Sequence, residues 1–115
     1  MKLSAIMSET WFTPESGKED KKPSQFKVRG LTGAEQTYMT QYHEVKGNGS
    51  YLTAEGVLEH LKIGVVGWKN VFDHSGKAID FNIDLLERLQ PEETMELFAQ
   101  IQLLTNPGEP EIKNS

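Results

Sequence analysis

The stretch Gly67-Trp68-Lys69-Asn70-Val71-Phe72-Asp73-His74-Ser75-Gly76-Lys77-Ala78-Ile79-Asp80-Phe81 decides how this chain is read. Val71 and Phe72 lead into an Asp-x-Ser-Gly turn. Gly76 offers the positive φ that a tight turn needs, and Ala78, Ile79 and Phe81 lead out. Apolar alternation on both sides of Gly76 predicts a β-hairpin over 68–81, with Phe72 or Phe81 burying its ring against helices.

Working outward towards the N-terminus, Trp11-Phe12-Thr13 is a short β-prone run, and Gln25-Phe26-Lys27-Val28-Arg29 alternates as a half-buried strand should. The two are expected to pair across a mobile loop, 14–24, dense in charge, Gly and Pro. Lys21 and Lys22 lie in that loop as solvated residues. Thr32 followed by Glu35 fits a capping box, and Ala34, Tyr38, Tyr42 and Val45 then recur at helical spacing, which predicts a helix of about three turns. Gly47-Asn48-Gly49-Ser50 is expected to stop it. A second helix opens near Thr53 with the stripe Ala54, Val57, Leu58 and Leu61, ending near Gly64. Gly56 within it costs about 1 kcal/mol against alanine. Gly64-Val65-Val66-Gly67 reads as a flexible connector.

Beyond the hairpin, Asn82 or its neighbourhood is expected to cap a short third helix through Leu85, Leu86 and Leu89. Pro91 suits the first position of a closing helix, with Glu92 and Glu93 in its first turn complementing the helix dipole. That helix carries Leu97, Phe98, Ile101 and Leu104 on one broad face and ends at Asn106-Pro107-Gly108. The pattern predicts a helix-rich α+β fold: one domain over 1–115, with about four helices and two short β-hairpins. Residues 1–10 and 107–115 are expected to be flexible.

Composition excludes several function classes. There is no cysteine, which removes disulfides, thiolate metal sites and cysteine nucleophiles. The net charge of −5 divides unevenly: residues 1–30 carry six Lys/Arg against four Asp/Glu, and residues 31–115 carry six against thirteen. An acidic main body speaks against nucleic acid, since phosphate binding wants a basic stripe. No apolar run has the length of a membrane span, and Met1 to Met7 is too polar for a signal peptide, so a cytoplasmic location is expected.

The histidines are His43, His60 and His74, none paired at the three- or four-residue helical spacing that brings two ligands to one face. No metal and no cofactor is expected. Asp73-His74-Ser75 holds the residue types of a hydrolytic triad, but such residues meet through folding rather than as neighbours in a turn. Asp and Ser there serve the local backbone. No glycine loop runs into Lys-Ser or Lys-Thr, so a P-loop is absent. What remains is apolar surface. Trp68 is either a plug at a sheet edge or a partner-facing anchor, and Leu97, Phe98, Ile101 and Leu104 are either core or a shared face.

The string Gly67-Trp68-x-Asn70-Val71-x-Asp73-x-x-Gly76-Lys77-x-Ile79-x-Phe81, the helix opening Asp84-Leu85-Leu86 and a final helix after Pro91 resemble the small tail assembly chaperones of long-tailed bacteriophages and prophages. The likeness covers most of residues 25–106, including the turn into Leu31-Thr32-Gly33-Ala34-Glu35. It implies a non-catalytic protein that binds the apolar, helix-rich tape measure protein while the tail tube polymerises, then leaves before the virion matures. Many members of that family also exist in a longer, frameshifted form. Partners implied are the tape measure protein, the major tail tube protein and further copies of the chain. Trp68, Leu97, Phe98, Ile101 and Leu104 are then the candidate contact residues. Two rival readings are a virion structural or connector protein, and a small enzyme or regulatory module with a pocket of His43, His60 or Glu59.

Overall fold

A computed structural model describes residues 8–106. Strand β1 (Thr10–Phe12) and strand β2 (Gln25–Val28) pair antiparallel, with Trp11 opposite Lys27 and Phe12 opposite Phe26, as the alternation predicts. Strand β5 (Val65–Lys69) completes a three-stranded antiparallel sheet in the order β1-β2-β5. Residues 64–67, read from sequence as a connector, are therefore largely strand. Their apolar pair Val65-Val66 is taken up by an edge whose partner lies far away in the chain.

Helix α1 (Gly33–Met39) starts as expected: the Thr32 hydroxyl accepts from the Glu35 N–H at 3.2 Å, and the Glu35 carboxylate accepts from the Thr32 N–H at 2.8 Å. It ends sooner than predicted. A 3₁₀ turn, Thr40–Tyr42, leads directly into strand β3 (His43–Lys46), which pairs with β4 (Gly49–Leu52) around Gly47-Asn48. Gly47 has φ +60, the geometry that lets two residues close a hairpin. The glycines thus form a turn rather than a helix cap. Val45, expected on the helix's apolar face, is 79% exposed on the strand, and Met39 is the residue of α1 that enters the core.

Helix α2 (Ala54–Gly64) is capped by Thr53, whose hydroxyl accepts from the Gly56 N–H at 3.1 Å. Gly56 has a packing reason: a Cβ there would lie 2.7 Å from Leu52 and from Tyr42. The predicted third helix is a 3₁₀ helix, Ile83–Arg88, capped by the Asn82 carboxamide oxygen. Helix α3 (Pro91–Thr105) begins with Pro91 at its first turn. Among the described residues, three α-helices, short 3₁₀ segments and two small sheets form a single α+β domain. Residues 1–7 and 107–115, part of the segments expected to be flexible, lie outside the described residues, and Thr10 is already strand.

The core gathers Phe26 and Val28 from β2 with Leu31, Met39, Leu61, Val65, Leu86, Leu97 and Ile101. Helices α2 and α3 approach closely because Gly64 has no side chain: a Cβ would sit 2.6 Å from the Ile101 side chain. The α3 C-terminus is also tied to the chain entering α1. The Leu31 N–H donates to the Thr105 hydroxyl at 3.0 Å, and that hydroxyl donates to the Ile101 carbonyl at 2.7 Å. The 14–24 loop is anchored at its start, where the Glu96 carboxylate accepts from the Glu15 N–H at 2.7 Å and the Ser16 hydroxyl at 2.8 Å.

Candidate functional site

Asp73 builds the turn on which the site depends. Its carboxylate accepts from the Ser75 N–H at 2.9 Å, the Ser75 hydroxyl at 2.6 Å and the Lys77 N–H at 3.0 Å. These bonds hold its pKa down, the Ser75 hydroxyl bond first, and tie Asp73 and Ser75 to the local turn. Gly76 takes φ +86. The predicted 68–81 hairpin shrinks to one bridge, Phe72 opposite Ala78, with the Ile79 N–H donating to the Val71 carbonyl at 2.8 Å. Trp68 does not face the returning arm as a strand partner. It belongs to β5, opposite Phe26 of β2.

Trp68 instead joins the two arms through its side chain. The indole N–H donates to the Ile79 carbonyl at 2.8 Å, and the ring meets Phe26 and Phe81 edge-on at 6.2 and 5.0 Å. One side of the ring is left to line a cleft of about 530 Å³ between the turn and the 3₁₀ helix. Its apolar lining is Trp68, Val71, Phe72, Ile79, Leu85 and Leu89, and its polar lining is Asp73, His74, Arg88 and Gln90. Phe72 is 43% exposed there. Among the described residues Arg88 forms no ion pair. A mostly apolar cleft with Arg88 at one side can accept aliphatic or aromatic side chains, with an acidic group beside the guanidinium.

The closing helix distributes its apolar residues differently from the expectation. Leu97 and Ile101 are fully buried and so cannot contact a partner in this fold, and Phe98 and Leu104 are half-buried against the core. Met95, Ala99 and Leu103 recur at four-residue spacing on the opposite side of α3 and are exposed, Met95 at 54% and Leu103 at 49%. Sequence reasoning missed this row, although its spacing was available.

The three histidines lie on different elements, although His43 is near enough to His60 for its charge to act on it. His43 is on β3, its ring nitrogen 3.3 Å from the Ser50 hydroxyl, and His74 is on the exposed turn. His60 is only 6% exposed, packs edge-on against Phe98 at 4.9 Å, and neither ring nitrogen has a hydrogen-bond partner among the described residues. Burial, and secondarily the charge of His43, pushes its pKa down. Glu59 is engaged with Lys62 at 3.5 Å. Among the described residues no group of three or more His, Asp or Glu is placed to hold a metal. No helix of the described residues is long and apolar enough to cross a membrane. No protein-family model, curated protein or solved structure matches this chain.

Proposed function

We propose that the protein is a tail assembly chaperone that binds and solubilises apolar helical segments of a tape measure protein during phage tail morphogenesis. The observation that carries this reading is the cleft beside Trp68, whose apolar lining and Arg88, without an ion pair among the described residues, suit an apolar helix bearing an acidic flank. The exposed row Met95, Ala99 and Leu103 supplies a second contact on the closing helix. Support also comes from the likeness of the 67–81 segment to that family.

Burying two or three client side chains is worth roughly 1.5–3 kcal/mol each before ordering costs, so each contact is weak. A long client coated by many copies converts weak contacts into firm attachment. The chaperone acts in the host cytoplasm and is released before the virion is complete. Co-expression with the tape measure protein tests the reading. The client is expected in the soluble fraction with the wild-type chaperone and in the pellet with Phe72→Glu, whose circular dichroism stays native. A client equally soluble without the chaperone overturns the proposal, as does retention of the chaperone in mature particles.

A further inference from the structure

The β3–β4 ribbon presents a strand edge with no partner among the described residues, because its sheet contains only these two strands. A free two-stranded ribbon of this length is weakly stable and invites pairing. All four residues of β3 are exposed, and Val45 at its centre is 79% exposed.

The register fixes which backbone groups point outward. Lys46 pairs with Gly49 and Glu44 with Tyr51, and two positions further down the ladder the Thr53 N–H donates to the Tyr42 carbonyl at 2.9 Å. Hydrogen-bonded pairs alternate in an antiparallel ladder, so Tyr42, Glu44 and Lys46 turn their backbone groups towards β4. His43 and Val45 turn theirs to the open edge.

We infer that this edge pairs with the same edge of a second copy, antiparallel and about a two-fold axis at Val45. Each Val45 N–H then donates to the carbonyl of the partner's Val45. The same register sets Glu44 directly opposite Lys46 of the partner subunit, twice by symmetry. Within one chain these two side chains already lie 3.6 Å apart on one face, so exchanging partners requires little rearrangement. The neighbouring registers that keep outward groups paired are unfavourable: one sets Glu44 against Glu44, the other Lys46 against Lys46. Like charges directly opposite destabilise a strand pair, which leaves Val45 as the axis. The result is a four-stranded sheet, β4-β3-β3-β4, formed by an isologous interface. The strip is small beside the roughly 800 Å² per partner of stable complexes, so the dimer is weak, with Kd roughly 0.01–1 mM.

Sedimentation velocity on the full chain, from roughly 10 μM to 1 mM, is the test. The wild-type average mass is expected to rise towards twice the monomer value across this range. Glu44→Lys and Lys46→Glu should each weaken self-association by about tenfold, because both cross-strand pairs become repulsive. Mixed in equal amounts, the two variants restore both pairs in a heterodimer and should recover association to within about threefold of wild type. Val45→Pro removes only an outward N–H, so it should stay folded by circular dichroism and remain monomeric. A wild-type protein monomeric throughout the range overturns the inference. So does a mixture that associates no better than its components, or Val45→Pro associating like wild type.

Discussion

The guanidinium of Arg29 holds both carboxylate oxygens of Glu35, at 2.9 and 2.8 Å, while one of those oxygens also accepts from the Thr32 N–H at 2.8 Å. One carboxylate therefore closes a helix cap and ties α1 to the residue following β2. The Arg29 hydrogen bond is the main cause that lowers the Glu35 pKa to about 2, against a smaller opposing effect of burial.

Because the folded-state pKa lies below the unfolded one, the stabilisation is complete above the ordinary carboxylate range and is lost as pH falls towards 2. Glu35→Gln should therefore be less stable than wild type at neutral pH and approach it in acid. Glu35→Ala, which removes the cap as well, should cost about 1–2 kcal/mol at pH 7. Urea titrations of the three proteins at neutral and acidic pH check this. An equal gap at both pH values would show that the ion pair contributes nothing.

His60 gives a separate pH dependence at higher pH. Its folded-state pKa is depressed by burial, so the unfolded chain takes up a proton that the folded chain resists. Stability is thus full above the free histidine pKa of about 6.5 and declines as pH falls below it. His60→Leu should flatten the melting temperature between roughly pH 7 and pH 5. At neutral pH it should cost little, since neither ring nitrogen of His60 has a partner to lose among the described residues. Thermal melts across that range decide it.

Two glycines close to each other in sequence should respond oppositely to alanine. A Cβ at Gly30 would lie 2.8 Å from the backbone of Leu104 and Thr105, which cannot swing aside as a side chain can. Gly30→Ala should cost about 2 kcal/mol or more. At Gly33 a Cβ meets nothing within 4 Å, so Gly33→Ala should be neutral or stabilise by about 0.5 kcal/mol. Chemical denaturation of both variants gives the comparison.

The two sides of α3 should separate stability from binding. Leu97→Ala and Ile101→Ala remove fully buried side chains and should cost about 2–5 kcal/mol each. The pair Met95→Glu and Leu103→Lys, on the exposed row, should leave stability within about 0.5 kcal/mol per site. On the proposed function, that same pair should markedly lower the soluble fraction of a co-expressed tape measure protein. Unchanged client solubility would confine the contact to the cleft.

The sequence by itself determined what neighbours within a few residues can enforce. The Thr32–Glu35 box, the Thr53 and Asn82 caps, Pro91 at the start of α3 and the Asp73–Gly76 turn all appear where their spacing places them. Each depends on backbone groups that a nearby side chain satisfies, or on a φ that glycine favours. The helix-rich α+β class followed from the same signals.

Only the tertiary structure decided which of several locally acceptable patterns prevailed. Ala34, Tyr38, Tyr42 and Val45 have helical spacing, yet His43–Lys46 is strand because Gly47 can close a turn with β4, while Gly56 makes room for Tyr42 and Leu52. Trp68 reads as the arm of a local hairpin, but its strand partner is Phe26, and no local spacing encodes a pairing at that separation. Helix α3 has apolar residues on two sides. Leu97 and Ile101 are taken into the core because Gly64 admits the Ile101 side chain, and this leaves Met95 and Leu103 on the surface. Long-range packing selects among patterns that are nearly equal in local energy, and that selection settles which apolar residues remain exposed for a partner.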